Sequence, residues 1–162
     1  MVPNRAGLYR VFADFTPAAT ARGLYASVDF EVPGETARVT RSTNSTWQAA
    51  GYNFELQTPS YFKAGVTAEL RFRVERPGAN KTPVPLEPVM DAYAHLVAFD
   101  EERTGFAHLH PDQVDLNQKP DALRPELTFK VTIPQAGRYV IWSQVNLGGT
   151  EVFAPFWIDV LP

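Results

Sequence analysis

The sequence predicts an all-β protein, an antiparallel Ig-like β-sandwich, from three observations. Apolar and polar residues alternate with a period of two in several runs, which is the pattern of strands that bury one face. The 14 prolines and ten glycines fall mainly between these runs, where turns require them. No segment shows the periodicity of an amphipathic helix. About nine or ten short strands separated by turns are typical of a sandwich.

The strands follow from this alternation, element by element. Leu70, Phe72 and Val74, for example, alternate with charged residues. The segments 93–99 and 139–145 are apolar on both faces and should therefore be central strands. In chain order, the expected strands are 8–15, 24–32, 52–56, 67–75, 93–99, 105–110, 127–133, 138–146 and 151–160.

Composition and charge exclude several classes of function. The net charge is −3 and no lysine or arginine run occurs, so we expect no nucleic-acid partner. No cysteine is present, which excludes disulfides and thiolate ligands. No apolar run reaches about 18 residues, so the sequence predicts no transmembrane segment. Neither a nucleophile elbow nor a phosphate-binding glycine loop occurs, and the chain is not expected to be an enzyme.

A short internal repeat suggests how the chain is organised. The tetrapeptide Ala-Gly-x-Tyr occurs at residues 6–9 and again at 136–139, each time opening an expected strand. We therefore interpret residues 1–34 as the tail strands of a preceding repeat, 35–50 as a linker and 51–162 as a whole sandwich. The alternative is coincidence, because Gly-x-Tyr is common where a strand begins. The repeat implies that an upstream portion is missing. Separately, the first seven residues lack the apolar stretch of a signal peptide, so either the protein is cytosolic or this chain is a mature or trimmed piece of a longer one.

All three histidines of the protein lie in one expected β-hairpin. If the strands pair symmetrically about the turn at 100–105, Val97 faces His108 and His95 faces His110. Shortening the turn by one pair would place His95 opposite His108 instead. Either register gathers His95, His108 and His110 on one face of the sheet. Three imidazoles in this arrangement are a candidate site for zinc, copper, nickel or iron.

Further residues near the hairpin are candidates for the same site. Met90 is a candidate soft fourth ligand that would favour Cu(I). Asp91 and Asp112 are candidate acceptors for an imidazole N–H. Each has a plain alternative: the histidines pack in the core, Met90 caps it, and the two carboxylates are solvated loop residues.

The motifs around the histidines resemble a known family. The stretches Pro-Val-Met90-Asp-Ala-Tyr-Ala-His95 and Phe-Ala-His108-Leu-His110-Pro, followed by Pro-Gln-Ala-Gly-Arg-Tyr, are similar to the YtkA-like, Ig-like domains of bacteria. These domains are often encoded beside heavy-metal-binding domains and metal-transport ATPases. The chain departs from the pattern at Asp91, where many members carry glycine.

The resemblance implies an exported, periplasmic or extracellular domain that binds copper first and zinc second. Its role would be metal carriage, sensing or resistance, with the metal ion and other envelope proteins as partners. The alternative is a non-catalytic structural or interaction module of a multidomain envelope protein, in which the histidines are packed.

Overall fold

The chain divides into two compact units, which are described separately. The computed structural model describes residues 3, 5–36, 42–78, 82–112 and 115–162, without the side chain of Phe106. The first unit spans residues 1–40 and the second spans 41–162. In the described ranges the chain forms strands and no helix, which confirms the all-β prediction.

Eleven strands are described, and all pairs between them are antiparallel. Their bounds are β1 Gly7–Phe15, β2 Leu24–Val32, β3 Thr46–Ala49, β4 Tyr52–Gln57, β5 Thr67–Glu75, β6 Leu86–Glu87, β7 His95–Asp100, β8 Phe106–Leu109, β9 Glu126–Thr132, β10 Gly137–Leu147 and β11 Thr150–Val160. The described residues contain no helix long and apolar enough to cross a membrane.

The second unit is a β-sandwich. One sheet has the order β3-β4-β5-β9, and the other has the order β11-β10-β7-β8, with β6 also paired to β10. As predicted, β7 and β10 are the central strands of their sheet. Side chains from both sheets fill the core between them: Phe54, Leu56, Leu70, Phe72, Leu127, Phe129, Leu96, Ala98, Ile141, Val145, Ala154 and Phe156. The sheet containing the expected histidine hairpin therefore has one core face and one outer face.

The first unit contains a single described hairpin, β1–β2. Its nine residue pairs run from Gly7 opposite Val32 to Phe15 opposite Leu24. The predicted antiparallel pairing of 8–15 with 24–32 is thus confirmed. No residue of either strand is fully buried.

The expectation that residues 35–50 form a linker is wrong for the second half of this range. Thr46–Ala49 is β3, an edge strand paired with β4. Just before it, the Asn44 side chain donates to the Pro155 carbonyl (3.0 Å) and accepts the Trp157 N–H (2.8 Å). An edge strand exposes most of its side chains, and the composition of this segment therefore resembles that of a loop. Residues 37–41 of the expected linker lie outside the described residues.

Candidate metal centre

The turn between β7 and β8 fixes the register of the histidine hairpin. The Asp100 carboxylate accepts hydrogen bonds from the Thr104 N–H (2.8 Å), the Thr104 hydroxyl (2.7 Å) and the Gly105 N–H (2.7 Å). Burial alone would raise the pKa of Asp100, but these bonds to its charged form outweigh burial and lower it. The carboxylate therefore closes the turn as an ionised acceptor.

The observed register is the symmetric one of the two that the sequence left open. Val97 lies opposite His108, and Phe99 lies opposite Phe106. Leu96 and Ala98 point into the core, so the alternate residues of β7 belong to the outer face of the sheet. His110 follows the last residue of β8 and precedes Pro111, which favours an extended backbone there.

The three imidazoles converge on one side of this hairpin. Their ring centroids form a nearly equilateral triangle, with separations of 5.1 Å for His95–His108, 4.7 Å for His95–His110 and 4.9 Å for His108–His110. One ring nitrogen of each lies within 4.8 Å of those of the other two. His95 is buried, His108 is half-buried and His110 is exposed. The cluster thus opens toward solvent on the His110 side.

Hydrogen bonds determine the tautomer of the buried imidazole. His95 Nε2 lies 2.8 Å from the Val89 carbonyl oxygen, and because a carbonyl only accepts, Nε2 carries the hydrogen. In the neutral ring Nδ1 is then an unprotonated acceptor. It receives the N–H of His108 Nε2 at 2.9 Å. The lone pair of His95 Nδ1 therefore faces His108.

A tight turn supplies the carbonyl that holds His95. Val89 and Ala92 exchange two backbone hydrogen bonds, of 2.8 Å and 3.1 Å. The two residues between them, Met90 and Asp91, have positive φ values of 46° and 63°. This is the geometry of a type I′ turn, which usually contains asparagine, aspartate or glycine. A methionine in this conformation is strained by about 1–3 kcal/mol. The turn also covers the side chain of His95 on the outer face of the sheet.

The spacing of the nitrogens suits a transition metal. A tetrahedral ion with bonds of about 2.0–2.1 Å holds its ligand nitrogens about 3.3 Å apart. Small rotations of the imidazoles would bring the cluster to that spacing. A metal-binding histidine usually donates the N–H of its non-ligating nitrogen to an acceptor such as a backbone carbonyl. The hydrogen bond from His95 Nε2 to the Val89 carbonyl is of this kind. The residues present therefore fit a three-histidine site with at least one open position.

The environment of His110 keeps its ring available as a ligand. Burial of part of the ring lowers its pKa, and the adjacent His95 and His108 lower it further. A lowered pKa favours the neutral imidazole, which is the form that binds metals.

The other predicted site residues have different surroundings. Met90 lies on the tight turn with 59% of its surface exposed, and its role as a fourth ligand stays a prediction. The Asp112 carboxylate pairs with Lys130 Nζ at 2.5 Å. The acceptor for the His95 Nε2–H is the Val89 carbonyl, not a carboxylate. Sequence reasoning missed it because every residue carries a backbone carbonyl.

Comparison with known families assigns most of the second unit to one family. A family model described as a domain of unknown function (DUF8832) matches residues 47–161. The chain belongs to this family. The match begins in β3 and includes all three histidines. Comparison with curated proteins gave no match. The family description carries no activity, so the function has to be argued from the site.

Proposed function

We propose that the second unit binds a transition metal ion through His95, His108 and His110, copper first and zinc second. The domain would act outside the cytoplasm in metal carriage, sensing or resistance and would not be an enzyme. The resemblance to YtkA-like domains motivates the compartment and the role. The geometry of the histidines motivates the binding itself.

The observation that carries the proposal is the orientation of His95. Its Nε2–H is held by the Val89 carbonyl at 2.8 Å, and its Nδ1 lies 2.9 Å from His108 Nε2. In a metal complex, His95 Nδ1 and His108 Nε2 would be ligands, and His108 would carry its hydrogen on Nδ1. The exposed third histidine would complete the set from the solvent side.

The donor set limits the choice of metal. Neutral imidazoles suit copper and zinc, and copper binds more tightly than zinc to a given nitrogen site. A thioether would shift the preference toward Cu(I), and Met90 on the adjacent turn is the residue that could supply it. Copper is therefore our first choice, and zinc is the second.

A second candidate function also has an observation in its favour. His95 is 1% exposed and already makes two hydrogen bonds, to His108 and to Val89. A histidine satisfied in this way could be purely structural, in a domain that serves as an interaction module of an envelope protein. The metal proposal differs because it requires His110, which is exposed to solvent.

Metal titration of the chelator-treated protein tests the proposal. We expect one equivalent of copper or zinc to bind, and His110→Ala to weaken binding at least about 100-fold while far-UV circular dichroism is unchanged. Asp112→Ala, two residues further along, is the matched control and should leave affinity within about 3-fold. Met90→Leu should weaken Cu(I) binding and leave Zn(II) binding unchanged if the thioether is a ligand.

Two outcomes would refute the proposal. In the first, the parent protein binds neither copper nor zinc. In the second, His110→Ala and Asp112→Ala weaken binding equally. Either result would leave the structural role of the histidines as the better account.

A further inference from the structure

The hairpin β1–β2 has one wholly apolar face. Along this face the cross-strand pairs are Tyr9–Phe30, Val11–Val28, Ala13–Ala26 and Phe15–Leu24. The opposite face is mixed. It carries the Arg10–Asp29 ion pair (2.5 Å) and further polar residues together with Leu8, Phe12 and Tyr25. A strand pair that is uniformly apolar on one face only is suited to covering a core with that face.

This apolar face is not covered in the described part of the chain. Val11, Phe15, Leu24 and Val28 are 50%, 46%, 45% and 62% exposed. A two-stranded hairpin alone is at best marginally stable in water and needs further strands against its apolar face. The hairpin would therefore be stabilised by further strands that pack on its apolar face.

The hairpin β10–β11 of the second unit matches β1–β2 pair by pair. In β1–β2 the pairing runs from Gly7 opposite Val32 to Phe15 opposite Leu24. In β10–β11 the equivalent nine pairs run from Gly137 opposite Val160 to Val145 opposite Val152. Both first strands begin at a glycine with φ near +145° to +149°. The shared register extends the Ala-Gly-x-Tyr repeat of the sequence into the structure.

The two hairpins also share the same tyrosine corner. The Tyr9 hydroxyl donates to the Arg5 carbonyl at 2.8 Å. The Tyr139 hydroxyl donates to the Gln135 carbonyl, again four residues earlier, at 3.0 Å. Such a corner fixes how a chain enters a strand of an Ig-like sheet, so the two hairpins enter their strands in the same way.

The second unit shows what packs on the equivalent face. Ile141, Ser143, Ala154 and Phe156 occupy the positions of Val11, Ala13, Ala26 and Val28, and all four are fully buried. They pack against the four-stranded sheet, where for example the ring of Phe156 meets that of Phe72 at 6.3 Å. The small pair, Ser143 and Ala154, is matched by the small pair Ala13 and Ala26.

We propose that β1–β2 is the final hairpin of another sandwich domain of this fold, and that its apolar face binds the remaining strands of that domain. The partner is thus a sheet equivalent to β3-β4-β5-β9, together with a strand equivalent to β7. A face of four apolar cross-strand pairs in this register fits a facing sheet.

A tandem protein tests the proposal with strands that the chain already possesses. Residues 42–134 are placed directly before residues 5–162, so that Arg5 follows Pro134 in the position of Gln135. The hairpin then follows a complete set of facing strands, as β10–β11 does in the second unit. Hydrogen exchange followed by mass spectrometry reports amide protection in 8–15 and 24–32.

We expect the hairpin amides of the tandem to exchange at least about 100-fold more slowly than those of the 162-residue chain. The V11K/V28K variant places two lysines on the apolar face and should lose this protection. The S27K/E31K variant places two lysines on the opposite face of the same hairpin and should keep it.

Three results would overturn the proposal. The hairpin could stay unprotected in the tandem, or V11K/V28K could be as protected as the parent. Alternatively, sedimentation of the 162-residue chain could show a defined dimer with a protected hairpin that V11K/V28K abolishes. The occupant would then be a second copy of the same hairpin.

Discussion

The hairpins β1–β2 and β10–β11 share their register but differ in what covers their apolar faces. In β10–β11 the face is buried under the four-stranded sheet, and Phe156 has no exposed surface. The equivalent Val28 of β1–β2 is 62% exposed. Period-two alternation therefore determines which face of a hairpin is apolar, whereas burial depends on strands elsewhere in the fold.

In the histidine hairpin a side chain is buried by a turn and not by a facing sheet. His95 lies on the outer face of its sheet, away from the core, yet it is buried beneath the Val89–Ala92 turn. His110, one strand over, has no such cover. The same cluster thus contains one histidine that the fold holds in place and one that is accessible to solvent.

The largest expected effect contrasts the covered and uncovered hairpins. Phe156→Ala should lower the free energy of unfolding of the second unit by about 3–5 kcal/mol, because it leaves a cavity between the sheets. The equivalent Val28→Ala should change the free energy of unfolding of the first unit by less than about 0.5 kcal/mol, since that side chain is mostly exposed. Urea denaturation followed by far-UV circular dichroism, which reports the strands of both units, measures both. Equal losses would mean that the two faces are covered to the same extent.

The next effect separates the two kinds of histidine in metal-free protein. His95→Ala should destabilise the second unit by about 2–4 kcal/mol, because it removes a buried ring and its two hydrogen bonds. His110→Ala should cost less than about 0.5 kcal/mol. Thermal unfolding in the presence of a chelator checks this. A large loss for His110→Ala would show that this residue, too, is structural.

A smaller effect concerns the small residues of the two hairpins. Ser143 has no exposed surface, and its hydroxyl donates to the Ala154 carbonyl at 3.3 Å. Ser143→Val should cost about 1–3 kcal/mol, since it overfills the gap between the sheets and loses that bond. The equivalent Ala13→Val should be neutral to within about 0.5 kcal/mol, because its face is open. The test is chemical denaturation with both variants side by side. If Ser143→Val is neutral, the gap between the sheets is wider than the burial suggests.

Much of the fold and of the site's geometry was predictable from the sequence. Strand β5 has the predicted bounds, 67–75, because its alternation is strict and one face is buried. The common face of the three histidines followed from residue parity in a hairpin, since a slip by one residue would send apolar side chains to the wrong face. Parity allows both registers considered, and the structure selects the symmetric one.

The missed features have identifiable physical causes. Strand β3 has only four residues and lies at a sheet edge, so it lacks a buried face to impose alternation. The turn at Met90 and Asp91 has positive φ without a glycine, and no composition rule predicts that. The Val89 carbonyl that orients His95 is a backbone group and has no sequence signature.

The smallest expected effect is a pH dependence that also contrasts the histidines. Burial, followed by the proximity of His95 and His108, lowers the pKa of His110 below its ordinary value of 6.5. The unfolded chain therefore takes up this proton first as the pH falls. The resulting contribution to stability is fully present above about pH 6.5 and is lost as the pH falls through the lowered pKa of the folded state.

Urea denaturation of chelator-treated protein between about pH 5 and pH 8 measures this dependence. The parent should lose stability on acidification, and His110→Gln, which cannot take up the proton, should lose less. The difference should be modest because the ring is exposed and solvent screens its neighbours. A parent and a variant with superimposable pH profiles would show that His110 titrates alike in the folded and unfolded states. The triangle of imidazoles would then be looser in solution than the separations of 4.7–5.1 Å between its rings indicate.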